Sequence, residues 1–390
     1  MKKLAAGNSA IRAMFEEGNR LAALYGRENV YDYSLGNPNF PAPDVVRQAY
    51  LDVLNEEDSV FVHGYMPNAG FPDVRAAVAD SINQRFGTAF NEGNILMTVG
   101  AAGGLNVILK TLLNPGDEVI ALAPYFVEYG NYVSNFDGKL VVVQTNPETF
   151  QPDAERLAAA INEKTKAVII NNPNNPTGVI YPAAVIDQLA AVLEAKQKEF
   201  GTSIYLISDE PYRELAYDGN EVPYLPCHYR NTVVGYSWSK SLSLPGERIG
   251  YLVIPSEIDD AELIFSAACI ANRVLGFVNA PSITQRAVKR CLDAKVNVEA
   301  YDANRKMLYQ ALTECGFTCV RPDGAFYMWV KSPVADEKEF VAAAKKYNLL
   351  LVPGSSFAGP GYVRLAYCVS PDMIRRSLPA FKKLAEEYGL

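Results

Sequence analysis

Histidine is scarce in this chain of 390 residues: only His63 and His228 occur, far apart in sequence. A histidine-built metal site or a Ser-His-Asp triad is therefore poorly supplied, and no metal is expected. CxxC spacing is absent as well. Cys227, Cys269, Cys291, Cys315, Cys319 and Cys368 stand scattered, which favours a reduced, cytoplasmic chain over a disulfide scaffold or zinc module. Basic charge is in deficit, with 36 Lys and Arg against 44 Asp and Glu and a net charge of -8. A nucleic-acid function would have no basic footprint to rest on. No run of about 18 uninterrupted apolar residues occurs, so nothing is expected to span a membrane. The start, "MKKLAAGNSAIRAMFEEGN", meets Glu16 and Glu17 before any long apolar core and does not read as a signal peptide.

What is present is an ordinary globular mix, 49% hydrophobic and 21% charged, long enough for one large domain or two of usual size. Seven short, β-branched, nearly continuous apolar runs recur: "ILMTV" (95–99), "EVIALA" (118–123), "KLVVVQ" (139–144), "KAVIINN" (166–172), "SIYLIS" (203–208), "TVVGYSW" (232–238) and "IGYLVI" (249–254). Runs without alternation suit strands covered on both faces. Helical patterns intervene at 101–113 and 183–200, and this order predicts an α/β domain: a mostly parallel, seven-stranded sheet sandwiched by helices. After residue 280 the texture becomes α+β. Residues 281–316 read as one long helix with Pro281 at its start and Gly316 at its end. Strand-like "FTCVRP" and "FYMWVK", helical "EKEFVAAAKKYN", the strand "YVRLAY" and a closing helix follow. The expected division is an N-terminal arm (1–45) joining the small domain, a large domain (46–285) and a smaller C-terminal domain (286–390).

In open α/β sheets, ligands bind outside the C-terminal strand ends. After the first run, Gly100, Ala101 and Ala102 open a glycine-rich turn into a helix, where backbone N–H groups can meet an anion; packing alone also favours small residues there. "NPNNPTG" (172–178) carries Asn175 on a path fixed by two X-Pro steps, readable as turn chemistry or as rigidly placed amides. Asp209, in "SDEPYRE", ends a buried run. There a carboxylate wants a cationic partner or caps the next helix. Tyr212 follows three residues later. In "YSWSKSLSLPGERIG" (236–250), Lys240 is either a surface lysine at a strand end or a nucleophilic amine, with Ser237 and Arg248 beside it to hold an anion. Arg364 lies inside the apolar "YVRLAYC", where a guanidinium wants a planar anion to grip. A phosphate, an aromatic ring with a cationic nitrogen, an aldehyde for Lys240 and a carboxylate for Arg364 together describe pyridoxal 5'-phosphate with an amino acid.

On these motifs the chain resembles the class I/II aminotransferase family, of the fold-type I pyridoxal phosphate enzymes, from "SLGNPNFP" (34–41) to "YVRLAYC" (362–368). The resemblance implies that Lys240 is the Schiff-base lysine, Asp209 the partner of the ring nitrogen, and Tyr212 and Asn175 donors to the ring oxygen. It makes Ser237, Arg248 and the turn at 100–102 phosphate ligands. Many relatives place a hydroxyl or lysine in that turn, so here only backbone N–H groups remain. Phe126 matches the ring-stacking aromatic. Gly36, Asn175 and Arg364 match the substrate-carboxylate site, and Tyr65 matches a tyrosine reaching the neighbouring subunit's phosphate, which implies a homodimer with composite sites. The implied reaction moves an amino group between an L-amino acid and a 2-oxo acid. A C–S β-lyase or an aminocyclopropane-carboxylate synthase-like enzyme would share the same residues. A non-catalytic pyridoxal phosphate-binding regulator and a plain α/β binding protein are the non-enzymatic readings. Arg12 and Arg273 are candidates for a distal substrate carboxylate, with exposed or structural roles as the alternative; Ile11, Phe15, Tyr33 and Phe277 could instead shape an apolar pocket.

Overall fold

The computed structural model describes residues 10–390, with side chains from residue 13 onward. Its strands are β1 (Tyr31–Asp32), β2 (Ile95–Thr98), β3 (Glu118–Ala123), β4 (Lys139–Gln144), β5 (Thr165–Asn171), β6 (Tyr205–Asp209), β7 (Thr232–Ser237) and β8 (Gly250–Val253), then β9 (Cys319–Val320), β10 (Tyr327–Lys331), β11 (Leu349–Leu350), β12 (Val352–Pro353) and β13 (Tyr362–Ala366). The seven apolar runs form one sheet in the order β2-β8-β7-β6-β5-β3-β4. Only β8 runs against its neighbours, so the C-terminal ends of the other six reach one edge. Chain order reverses between β3 and β5, the position where such sheets open a crevice for a ligand.

The apolar continuity of these strands has its reason in the packing. Ile120, Val168, Ile170 and Leu206 face one helical layer with Leu189 and Leu193, while Leu96, Ile169, Ile207 and Val233 face the other with Leu105, Ile108 and Leu109. All these side chains are buried. Each fully buried aliphatic contributes about 1.5–3 kcal/mol relative to exposure.

The second unit is a four-stranded antiparallel sheet, β12-β13-β10-β9, packed against the helices Val298–Glu314, Glu337–Lys345 and Pro371–Glu387 through Phe326, Met328, Leu365, Phe381 and Leu384. The N-terminal segment adds β1 to β11 in parallel, and the Tyr33 carbonyl accepts from the Ala366 N–H at 2.8 Å.

One expectation fails. Residues 281–316 do not form a single helix; helices Ser282–Lys289 and Val298–Glu314 are separated by a turn and an irregular link over 290–297. The Val296 N–H bonds the Ser241 carbonyl, and the Asn297 side chain caps the second helix through the Ala300 N–H. The cap and the docking of the link beside Lys240 outweigh continuity of the helical pattern.

Candidate active site

At the common strand edge lies a cavity of about 340 Å³. Ladder register sets Asn171 of β5 beside Asp209 of β6, and Asp209 beside Gly235 of β7. Residues at the strand ends are thereby lined up across the cavity floor. Gly36, Ala101, Ala102, Phe126, Asn175 and Asp209 line it, together with Tyr212, Ser237, Lys240, Arg248 and Arg364. The motifs at residues 36, 101, 126, 175, 209, 240 and 364 are thus one place in space.

Lys240 follows β7 in the short helix Trp238–Ser241, whose N-cap is Ser237. Its Nζ donates to the Gly36 carbonyl at 2.7 Å and lies over the Phe326 ring. Burial chiefly lowers its pKa to about 8, with Arg364 and Arg248 adding like-charge repulsion and Cys368 opposing them. Roughly a tenth is therefore the free amine at pH 7, far more than for an ordinary lysine.

Asp209 is buried at the end of β6. Tyr129 donates its hydroxyl to Oδ2 at 2.6 Å, while Oδ1 has no partner among the described residues. Burial raises the pKa of this carboxyl to about 7, against the lowering effect of the Tyr129 hydrogen bond. Asn171 spans the next gap: its Nδ2 donates to the Asp209 carbonyl at 2.9 Å, and its Oδ1 accepts from the Asn175 N–H at 2.7 Å. Both X-Pro bonds of "NNPNNPTG" are cis.

Arg364 is buried on β13 between the Tyr327 and Phe357 rings. Nη1 donates to Asn175 Oδ1 at 3.0 Å and Nη2 to the Ser34 carbonyl at 2.7 Å, and Nε has no partner among the described residues. Tyr212 and Tyr327 share a hydroxyl–hydroxyl bond of 2.8 Å. A Cβ on Gly36 would come within 2.1 Å of the Tyr327 hydroxyl, so the backbone passes too close for any side chain.

At the other end, Gly100 has φ +72°, and a Cβ there would meet Arg248 Nη2 at 2.9 Å. The missing Cβ lets the guanidinium lie against the turn that opens helix Gly100–Leu112. Arg248 itself is exposed and left-handed, at φ +52°. Ser237 and Ser239 share a 2.6 Å hydroxyl bond beside it.

Sequence reasoning left Tyr129, Asn171, Ser239 and Tyr327 unassigned. Tyr129 stands three residues beyond Phe126, and Ser239 lies within "YSWSKSLSLPGERIG"; proximity to those residues is the signal the sequence carries for each. Tyr65 does not line the cavity and is 93% exposed. Arg273 is exposed away from it, and the Ile11 and Arg12 side chains lie outside the described residues. Among the described residues no group of three or more metal-ligating side chains exists.

Tested against pyridoxal 5'-phosphate, the donor set fits. It offers an unpartnered buried carboxylate oxygen for a ring N–H, an amine with depressed pKa for an aldehyde, and a face of Phe126 for the ring. Arg248, two serines and a helix N-terminus suit a phosphate.

Comparison with known proteins agrees. Residues 28–381 match the family model for aminotransferase class I and II. An aspartate/prephenate aminotransferase of Thermus thermophilus is 34% identical over 90% of this chain and 89% of its own length. A crystal structure of an amino transferase from Eubacterium rectale superposes with a TM-score of 0.97 at 45% identity, covering 100% of this chain and 98% of that one. The Thermus thermophilus aspartate aminotransferase with maleate gives 0.86 at 31% identity, covering 98% and 99%. The chain belongs to the class I and II aminotransferases, enzymes that use pyridoxal 5'-phosphate.

Proposed function

We propose that the cavity transfers an amino group from an L-amino acid to a 2-oxo acid with the following division of labour. The carrying observation is that Lys240, Asp209 and Arg364, 155 residues apart at the extremes of sequence (364 - 209), line one cavity in complementary states. Pyridoxal phosphate, when bound, supplies an aldehyde that condenses with amines and a cationic ring that draws electrons from the bonds at the substrate Cα. Arg364 grips the α-carboxylate with Nε and its remaining N–H groups, steered by Asn175. Lys240 Nζ takes the Cα proton and hands it on, a role its pKa near 8 suits. When the cofactor is bound, Asp209 Oδ1 would accept from the ring nitrogen, Tyr212 would donate to the ring oxygen, and Phe126 would cover one ring face. Arg248, Ser237, Ser239 and the N–H groups of the 100–102 turn would hold the phosphate.

The test is product-resolved: a new amino acid should form only when both an amino donor and a 2-oxo acid are supplied. Pyruvate and ammonia released from a cysteine conjugate without any 2-oxo acid would replace this reading by that of a C–S β-lyase. A panel of dicarboxylic and apolar donors, run on wild type and Arg12→Ala, assigns the side-chain specificity that relatives named for aspartate and prephenate suggest.

The active form is proposed to be a homodimer in the cytoplasm, with the arm 1–45 joining the small domain 286–390 and the cofactor held by the large domain 46–285. The six free cysteines support the reducing compartment. Support for the dimer is an uncovered apolar face. On helix Ala261–Val274, exposed Leu263, Ile270 and Val274 share one side, and exposed Val60 and Tyr65 lie on the neighbouring segment. The two are tied by Asn272 to the Asn68 carbonyl at 3.4 Å and Asn279 to the Pro67 carbonyl at 2.9 Å. Monomers seldom leave so many large apolar groups together. With Tyr65 acting across this face on the partner's phosphate, inactive Lys240→Ala and weakened Tyr65→Ala protomers should complement on mixing. Isolated heterodimers are expected to recover toward half of wild-type dimer activity; heterodimers no more active than their parents would remove the role of Tyr65.

A further inference from the structure

Tyr129 has no role in the scheme above, yet its hydroxyl is placed with unusual economy. The residue is 1% exposed, with its ring 5.6 Å from that of Phe126 and 6.2 Å from that of Tyr125. Phenylalanine would serve this aromatic packing equally. A buried hydroxyl costs free energy unless it is bonded, and the partner of this one is Asp209 Oδ2, at 2.6 Å. That length is typical of an O–H donating to a charged carboxylate. An ionised carboxylate accepts only, so Tyr129 is the donor. Oδ2 is held by Tyr129 at 2.6 Å and more loosely by Asn171 Nδ2 at 3.5 Å, and Asn171 also fixes the Asp209 backbone, so the plane of the carboxylate is set. Oδ1 is then the oxygen without a partner among the described residues.

We propose that Tyr129 is a positioning residue for the cofactor: its hydroxyl clamps Oδ2 of Asp209 so that Oδ1 is held, ionised, toward the ring nitrogen. The inference rests on the assignment of Asp209 to that nitrogen. Tyr129 touches the cofactor only through Asp209, so its effect must vanish when the ring has no nitrogen to bond. The other titratable groups that face Asp209 are Glu210, Tyr132 and Tyr212, and none of them replaces the Oδ2 bond.

The experiment measures binding, without turnover. Cofactor-free wild type and Tyr129→Phe are titrated with pyridoxal phosphate and with an analogue whose ring nitrogen is replaced by carbon, following quenching of protein fluorescence. Losing one hydrogen bond to a buried charge should weaken pyridoxal phosphate about ten- to a hundredfold in Tyr129→Phe. The two proteins should bind the carbon analogue equally. The pH dependence supplies an independent readout. The Tyr129 bond favours ionised Asp209, so its loss raises that pKa, and affinity should begin to fall at a higher pH on acidification. Equal weakening for both ligands would mean a packing defect and overturn the proposal, as would unchanged affinity for pyridoxal phosphate. Matching thermal melting of the two cofactor-free proteins guards against misfolding; should Tyr129→Phe melt early, Tyr129→His, which retains a donor, must restore the preference for the nitrogen-containing ring. Wild type that fails to distinguish the two ligands would instead refute the assignment of Asp209.

Discussion

Lys240→Ala is expected to lower the transamination rate by about 10⁴-fold, the upper range for a lost positioned base. The protein should still bind pyridoxal phosphate noncovalently, because Arg248, the serines, Phe126 and Asp209 remain. Borohydride treatment of the native protein should fix the cofactor to Lys240, and the same treatment of the variant should fix none. Lys240 is distinguished from the other lysines by its environment: burial beside two arginines keeps part of it unprotonated near neutral pH, poised to react. Mass spectrometry locating the reduced adduct on another lysine would sink the assignment. Losing the Nζ bond to the Gly36 carbonyl should add a modest stability cost, about 1 kcal/mol, too small to account for the rate.

Asp209→Ala should leave the fold intact and lower kcat by about 10³-fold, with a much smaller change in KM. The ring nitrogen loses its anionic partner, so the charge that develops at the substrate Cα loses its sink; the carboxylate site at Arg364 is untouched. A kcat within about threefold of wild type, roughly 0.65 kcal/mol of barrier, would show that the role is wrong. The sign of the pH effect on the cofactor-free protein also follows. The folded-state pKa of Asp209 is raised to about 7 from an ordinary value near 3.8. Its contribution therefore favours folding most at acid pH and is lost as pH rises through 4 to 7. Melting of the cofactor-free protein should lose that component of its pH dependence in Asp209→Ala.

The strand ends were legible because each carries a residue that violates its surroundings. Asp209 and Arg364 are charged groups in apolar runs, Lys240 ends another, and "NNPNNPTG" has a composition few turns need. Continuous apolar strands likewise disclosed a sheet covered on both sides, except at the edge strand β4, where Lys139, Val142 and Gln144 are exposed. Tyr129 and Tyr327 were not legible: a tyrosine in an aromatic-rich segment satisfies the hydrophobic pattern whether or not its hydroxyl is used. Only the meeting of Tyr129 with Asp209, 80 residues away, and of Tyr327 with Tyr212, 115 away, reveals the use. The break at 290–297 was hidden for a related reason. A helical pattern reports local preference, whereas the link is held by the Ser241 carbonyl on another element. The antiparallel sense of β8 is equally invisible in an apolar run that looks like its parallel neighbours.

The hydrogen bonds that close the pocket join distant parts of the chain. Lys240 reaches Gly36 across 204 residues, Arg364 reaches Asn175 across 189, and Arg364 reaches Ser34 across 330. Closing loops of such length is slow compared with forming the local βα units of the sheet. During refolding, the central sheet and its helices should therefore be in place well before the arm, β13 and the lysine helix converge. Competence to grip a substrate carboxylate at Arg364 is a late event on this pathway. A chain that has regained its secondary structure is still without a complete active site until the segment at Ser34–Gly36 has met the strand that carries Arg364.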